Sequence, residues 1–190
     1  MLTTLQWVLV GVAVVVVLAI IIWIIAGYNA LIRLRNNNEE AFSTMDVFMK
    51  KRYDLVPNLV NTVKGYAKHE SETLENVIQA RNLANGATST EEKLKAEKDF
   101  SSALSRLLVV AENYPELKAN TNFLDLQTQL KTLEIEIANS RKYYNGNVKI
   151  YNNKVQMFPS NIIAKMFRFK KATMFEITNQ EERNAVKVEF

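Results

Sequence analysis

The chain has 190 residues, a net charge of +4, one histidine and no cysteine. The missing thiols exclude disulfides, thiolate zinc centres and cysteine nucleophiles, and a lone histidine cannot build the usual zinc sites. The small basic excess suits anionic lipid and does not argue for nucleic acid, while five Gly and three Pro indicate few turns and long elements.

The first charged side chain is Arg33, and from Trp7 to Ala26 the chain is almost entirely Val, Ile, Leu, Ala and Trp. Twenty helical residues span roughly 30 Å, the thickness of a bilayer's hydrocarbon core. A cleaved signal peptide needs a basic start and a shorter apolar run; a buried soluble helix needs a polar face. Residues 1–27 are therefore expected to form a transmembrane anchor, with Trp7, Trp23 and Tyr28 at its interfaces. Arg33 and Arg35 adjoin its C-terminal end, with Lys50, Lys51 and Arg52 further on, whereas the N-terminal flank has no basic side chain. The positive-inside rule puts the N-terminus outside and the body in the cytoplasm.

Beyond the anchor, Leu31, Leu34, Ala41, Met45, Phe48, Leu55, Leu59 and Val63 recur at helical spacing, with polar gaps at Asn38 and Arg52. This predicts a helix over about 28–67, continuous with the anchor and kinked at Pro57. A reversal is expected near 65–69. A second helix over about 70–85 carries Leu74, Val77, Ile78, Arg81 and Ala84, with Gly86 as its C-terminal cap. Ser89 and Glu92 read as a capping box opening a third helix, about 90–112, whose apolar face is Leu94, Phe100, Leu104, Leu107, Leu108 and Ala111.

Pro115 breaks the chain. The last long helix, about 116–158, shows Phe123, Leu126, Leu130, Leu133, Ile137, Arg141, Tyr144, Val148, Tyr151, Val155 and Phe158. Two long helices and two shorter ones predict an all-α fold: an up-and-down antiparallel four-helix bundle over residues 28–175. The alternative is one unbroken helix through residue 85 and three helices in all. Residues 176–190 are expected to be an irregular or extended tail.

Specific residues then match a family. The body opens with Tyr28-Asn29-x-Leu31-x-x-Leu34-Arg35-Asn36 and leads through Asp46-Val47 to Lys51-Arg52-Tyr53-Asp54-Leu55-Val56-Pro57-Asn58-Leu59-Val60. Val63-Lys64-Gly65-Tyr66-Ala67-x-His69-Glu70 and Ala80-Arg81 follow. The C-terminal half adds Tyr114-Pro115-x-Leu117, Asn139-x-Arg141-x-x-Tyr144-Asn145, Tyr151-Asn152 and Phe158-Pro159-x-x-Ile162-x-Ala164-x-x-Phe167-x-Phe169. Over essentially its whole length the chain resembles the bacterial LemA family. The resemblance implies one N-terminal membrane helix and a cytoplasmic helical bundle, and it brings no catalytic residues. Phe42 stands where the family pattern leads one to expect Trp.

Few residues invite chemistry. His69-Glu70 is not a metalloprotease motif, because Thr73 occupies the place of the second histidine. Ser-His-Asp catalysis has no nucleophile motif, and no glycine-rich phosphate loop exists. Glu134 and Glu136, two apart on a helix, face different directions. Arg52 falls on the apolar stripe, with Arg141 in phase on the last helix; Asp46 or Asp54 is the expected acceptor, against a snorkelling Arg at the bundle edge. Arg52, Asp54, His69 and Arg141 form the candidate polar network. Tyr144-Asn145 and Tyr151-Asn152, seven apart, are expected to set register between helices. Lys165, Phe167, Arg168, Phe169, Lys170 and Lys171 form a candidate membrane-surface contact, against a plainer reading in which the aromatics close the bundle.

The expected function is a non-enzymatic scaffold at the bacterial inner membrane, with no cofactor, metal, nucleic acid or small-molecule substrate. Its partners would be membrane lipids and either further copies of itself, as a homo-oligomer, or other membrane proteins. The alternative is a membrane-shaping or curvature-sensing protein using the basic–aromatic segment.

Overall fold

The structure is a computed structural model in which residues 3–175 are described, so the expected tail over 176–190 lies outside the described residues. Six helices follow in order: α1 (Thr4–Tyr66), α2 (Ser71–Gly86), α3 (Thr90–Ala111), α4 (Pro115–Lys118), α5 (Thr121–Gln156) and α6 (Ser160–Met166). No strand occurs among the described residues. The fold is all-α. Its first helix is long and apolar enough to cross a membrane, and its apolar stretch is unburied within the chain.

Two compact units emerge: Met1–Glu40 with Gly146–Thr173, and Ala41–Asn145 with Met174–Phe190, as far as these residues are described. In the second unit the order of contacts gives the topology. Along α1, Phe42, Arg52 and Tyr66 meet Tyr144, Glu134 and Asn120, so α5 runs antiparallel to α1. Asp46, Arg52 and Tyr53 meet Lys93, Ser101 and Phe100, so α3 runs parallel to α1. With α2 returning between them, this is the up-down-up-down order, and the break at residues 67–70 settles the count at four long helices.

The heptad of α1 is visible in its burial. Leu31, Asn38, Met45, Arg52 and Leu59, each seven apart, are all buried. Asn38 and Arg52 are therefore members of the apolar stripe and not gaps in it. Ser89 and Glu92 form the capping box, with Glu92 N–H donating to Ser89 Oγ at 3.2 Å and Ser89 N–H to Glu92 Oε2 at 3.3 Å. These bonds hold the Glu92 carboxyl below the usual carboxylate range.

Four boundaries differ from the sequence expectation. Gly86 is the last residue of α2 and has no left-handed φ; the helix stops because Ala87 turns extended. The last long helix begins at Thr121, because Pro115 starts a separate short turn and Asn120 Oδ1 caps α5 by accepting from Phe123 N–H at 3.0 Å. The apolar stripe of α5 ends at Val155, and Phe158 stands in a solvent-facing corner. Past Pro159 the chain forms α6, which the interleaved pattern of basic and apolar residues concealed.

Candidate functional site

In the second unit, the opposite charges embedded in two apolar stripes meet. Arg52 on α1 is 2% exposed and Glu97 on α3 is 1% exposed. The Arg52 guanidinium pairs with Glu97 through Nη2 and with Glu134 of α5 through Nη1 at 2.5 Å. It also donates to Ser101 Oγ at 3.3 Å, while Tyr53 O–H donates to Glu97. Phe100 lies under both residues, 5.2 Å from the Arg52 guanidinium and edge-on to the Tyr53 ring.

Two carboxylates and a hydroxyl thus take both terminal nitrogens of one buried cation, its Nε being left without a partner among the described residues, and three helices are fixed in register by it. Burial lowers the Arg52 pKa, and Glu134 opposes that shift. Arginine remains charged throughout. The acceptors are Glu97 and Glu134, not Asp46 or Asp54. Both aspartates share α1 with Arg52, at spacings that point them away from its guanidinium. Asp46 instead takes Lys93 at 2.6 Å, and Asp54 lies 3.9 Å from Arg81.

Burial also pushes the Tyr53 phenol up to about 12 from 10.0, against the opposing effect of Arg52. A raised folded pKa means stability that is complete below pH 10 and lost as pH rises from about 10 to about 12. Wild type should therefore lose on the order of 2 kcal/mol more than Tyr53→Phe across that interval. Denaturant unfolding at stepped alkaline pH checks this, and parallel curves for the two proteins would refute it.

One turn further along, Pro57 sits inside α1 and cannot supply the N–H that the Tyr53 carbonyl would accept. Arg81 Nε, from α2, donates to that carbonyl at 3.1 Å. The guanidinium therefore repairs the helix at its proline. At one end of this unit, Asn120 Nδ2 donates to Tyr66 Oη at 3.0 Å and Tyr114 O–H to Glu70 Oε1 at 3.3 Å. These bonds tie the turn around His69 to the turn at Pro115. His69 is exposed and stands outside the Arg52 cluster, and Arg141 packs its guanidinium 5.2 Å from the Phe175 ring.

The asparagine pairs act on backbone, not on another helix. Asn145 exchanges two hydrogen bonds with Phe175, its Nδ2 donating to the carbonyl at 2.9 Å and its Oδ1 accepting from N–H at 2.8 Å. In the first unit Asn152 does the same with Ala172, both bonds at 2.9 Å. Tyr151 O–H donates to the Lys170 carbonyl at 2.8 Å. A primary amide offers the same donor and acceptor as a peptide group, so these side chains bond non-helical backbone as another peptide group would.

The first unit also gathers the basic–aromatic segment. Leu31, Tyr151, Ile163 and Ala164 form its core, with Tyr28, Val155, Phe169 and Ala172 against them. Tyr28 contacts the Phe167 and Phe169 rings at centroid distances of 4.7 and 5.7 Å. These aromatics therefore pack on α1, while Lys165, Arg168, Lys170 and Lys171 are exposed. Arg33 and Arg35 are exposed as well, and Trp7 and Trp23 face outward from the apolar run. Gly27 lets α6 approach closely, since a Cβ there would collide with Ile163. Arg35, Arg168 and Lys170 rim a groove whose lining includes Tyr28, Ile32, Tyr151 and Phe169.

Sequence reasoning missed Glu97, though it lies three residues from both Leu94 and Phe100 on the apolar face of α3. A carboxylate in one stripe and a guanidinium in another was the available signal. Among the described residues, no group of three His, Cys, Asp or Glu side chains is placed to hold a metal ion.

A family model described as "LemA family" matches residues 41–190. The chain is 26% identical over 154 residues to "Protein LemA" of Metamycoplasma hominis, covering 80% of this chain and 70% of that protein. It is 24% identical over 191 residues to "Magnetosome protein MamQ 2" of Paramagnetospirillum magneticum, covering 87% of this chain and 70% of that protein. Identity to "Magnetosome protein MamQ" of Magnetospirillum gryphiswaldense is 22% with the same coverage.

Proposed function

This chain belongs to the LemA family, and from that premise we propose that it is a non-enzymatic, membrane-anchored helical scaffold acting through protein–protein contacts or self-assembly. The observation that carries the reading is α1, one unbroken helix from Thr4 to Tyr66 that supplies both the apolar run and the first helix of the bundle. The titratable cluster buried in the second unit holds helices together and leaves Arg52 and Glu97 closed to solvent. Meanwhile Leu83, Val109 and Ile135 stand exposed on the bundle, where apolar side chains are available to a partner. Tethering such surfaces to a bilayer raises their effective concentration.

Arg33 and Arg35, which adjoin the C-terminal end of the apolar run, support a body on the cytoplasmic side of the bacterial inner membrane. The test is photo-crosslinking from Leu83 and Val109 in native membranes, together with light scattering of the detergent-solubilised full chain over a range of concentrations. Discrete adducts or concentration-dependent multimers are expected. A strictly monomeric chain that captures no protein from either position overturns the scaffold.

A further inference from the structure

The α5–α6 corner exposes apolar side chains beside the helix that has the length to cross a membrane. Phe158 is 79% exposed, and Met157, Ile162 and Met166 are exposed as well. On α6, Ile162 and Met166 are one turn apart, and the opposite face, Ile163 and Ala164, is buried against the first unit's core. Ile163 sits on Gly27, one residue past the end of the apolar run. On α1, Ile24, Gly27, Tyr28 and Leu31 share one face and all are partly or fully covered, whereas the rest of the run is exposed. Cover therefore extends down to Ile24, inside the twenty-residue stretch that matches the hydrocarbon core.

Charge points to the same occupant. From Ile137 to Phe175 the chain has no Asp or Glu, and Lys149, Lys154, Lys165, Arg168, Lys170 and Lys171 all fall in the first unit's share of that stretch. Its acidic residues are Glu39 and Glu40, of which Glu39 lies 3.7 Å from Arg35 as an exposed, weak pair. The groove rimmed by Arg35, Arg168 and Lys170 includes Ile32, six residues past Ala26 and so roughly 9 Å above the apolar run, at headgroup height.

Arg168 itself is a conformational anomaly. Phe169 N–H bonds to the Ala164 carbonyl at 2.9 Å and Arg168 N–H to that of Lys165 at 3.3 Å, the paired bonds of a Schellman cap. Arg168 takes the left-handed position, φ 58°, which glycine occupies at lower cost. An arginine kept there places a guanidinium on the groove at the expense of local stability.

We propose that the α5–α6 corner is a second, partial membrane insertion. Met157, Phe158, Ile162 and Met166 enter the acyl region of the leaflet facing the body, beside α1. Arg35, Arg168 and Lys170 hold the phosphate of an anionic phospholipid of that leaflet in the aromatic groove. The inference rests on α1 crossing the membrane.

The chain has no cysteine, so the single substitutions Val16→Cys, Val109→Cys, Phe158→Cys and Ile162→Cys in the full chain can each carry an environment-sensitive fluorophore. The protein is reconstituted in vesicles of phosphatidylglycerol and phosphatidylcholine, and acyl-chain nitroxide lipids and aqueous iodide serve as quenchers. Positions 158 and 162 should be quenched several-fold more by the nitroxide than position 109 and be protected from iodide, as position 16 is. Water exposure at 158 and 162 with position 16 in lipid overturns the insertion alone, whereas water exposure at 16 overturns the anchor too. Protection of 158 from both quenchers means that a second protein copy covers it, and also overturns the proposal. Joint substitution of Arg35, Arg168 and Lys170 by Gln should abolish the preference for phosphatidylglycerol over phosphatidylcholine around the protein, read by spin-labelled lipid association. An unchanged preference, or its loss to millimolar inorganic phosphate, overturns the headgroup site.

Discussion

Replacing Glu97 by Leu should destabilise the full chain by about 3–5 kcal/mol, the range for breaking a buried ion pair from one side. Arg52 would stay buried with Glu134 as its remaining carboxylate, and the Glu134 side chain is 57% exposed and screened by water. The Tyr53 hydroxyl would lose its acceptor at the same time. For a bundle of this size the loss corresponds to roughly 10 °C in Tm, followed by helical circular dichroism of the protein in detergent.

The informative companion is Arg52→Met combined with Glu97→Leu. Removing both charges abolishes the unpaired-cation penalty, so the double variant should recover most of the lost stability. A Glu97→Leu protein within about 1 kcal/mol of wild type would show that the guanidinium is hydrated or otherwise satisfied.

The second large effect belongs to Arg81. Arg81→Leu keeps bulk on α2 but strips the guanidinium that donates to the carbonyl of buried Tyr53. An orphaned carbonyl at this part-buried position costs about 1–3 kcal/mol. The exposed Asp54 contact at 3.9 Å adds little.

The proline is the control. With Pro57→Ala, the new N–H at position 57 reaches the Tyr53 carbonyl and restores the helical bond. Arg81→Leu should then cost less than about 1 kcal/mol in that background. Equal penalties in both backgrounds, measured by denaturant titration of the four proteins, would break the link between the two residues.

How much of this was readable beforehand depends on whether a residue's partner obeys a periodicity. The long apolar start of α1, the reversal after Tyr66, the capping box at Ser89 and the four long helices all follow from spacing and end chemistry. Arg52 was legible as a stripe residue, since it shares a heptad phase with Met45 and Leu59. Its acceptors are legible only in part: Glu97 shows as a carboxylate on the apolar face of α3, but the pairing spans 45 and 82 positions to α3 and α5, and helical phase does not say which stripe faces which.

The asparagine spacing misleads for a related reason. Their seven-residue spacing is that of a helix pairing with a helix, but their partner is non-helical backbone with no pattern of its own. Helix α6 escaped because one of its faces packs on α1 and the other is apolar and exposed, so neither shows the usual polar contrast. Arg81 is the instructive case. A proline inside a long amphipathic stripe announces an orphaned carbonyl, and only the fold reveals which side chain answers it.

The grip of Asn145 and Asn152 has an evolutionary consequence. Each contacts the peptide groups of Phe175 and Ala172 and ignores their side chains. Any residue with an N–H satisfies those bonds equally, and proline alone is barred. Those bonds therefore put no constraint on side-chain identity at 172 and 175, where the limits come instead from Ala172 packing on the first unit's core and from the Phe175 ring under Arg141. Aligned descendants would show two fixed asparagines opposite positions that vary within the limits of packing and exclude only proline for the sake of the bond.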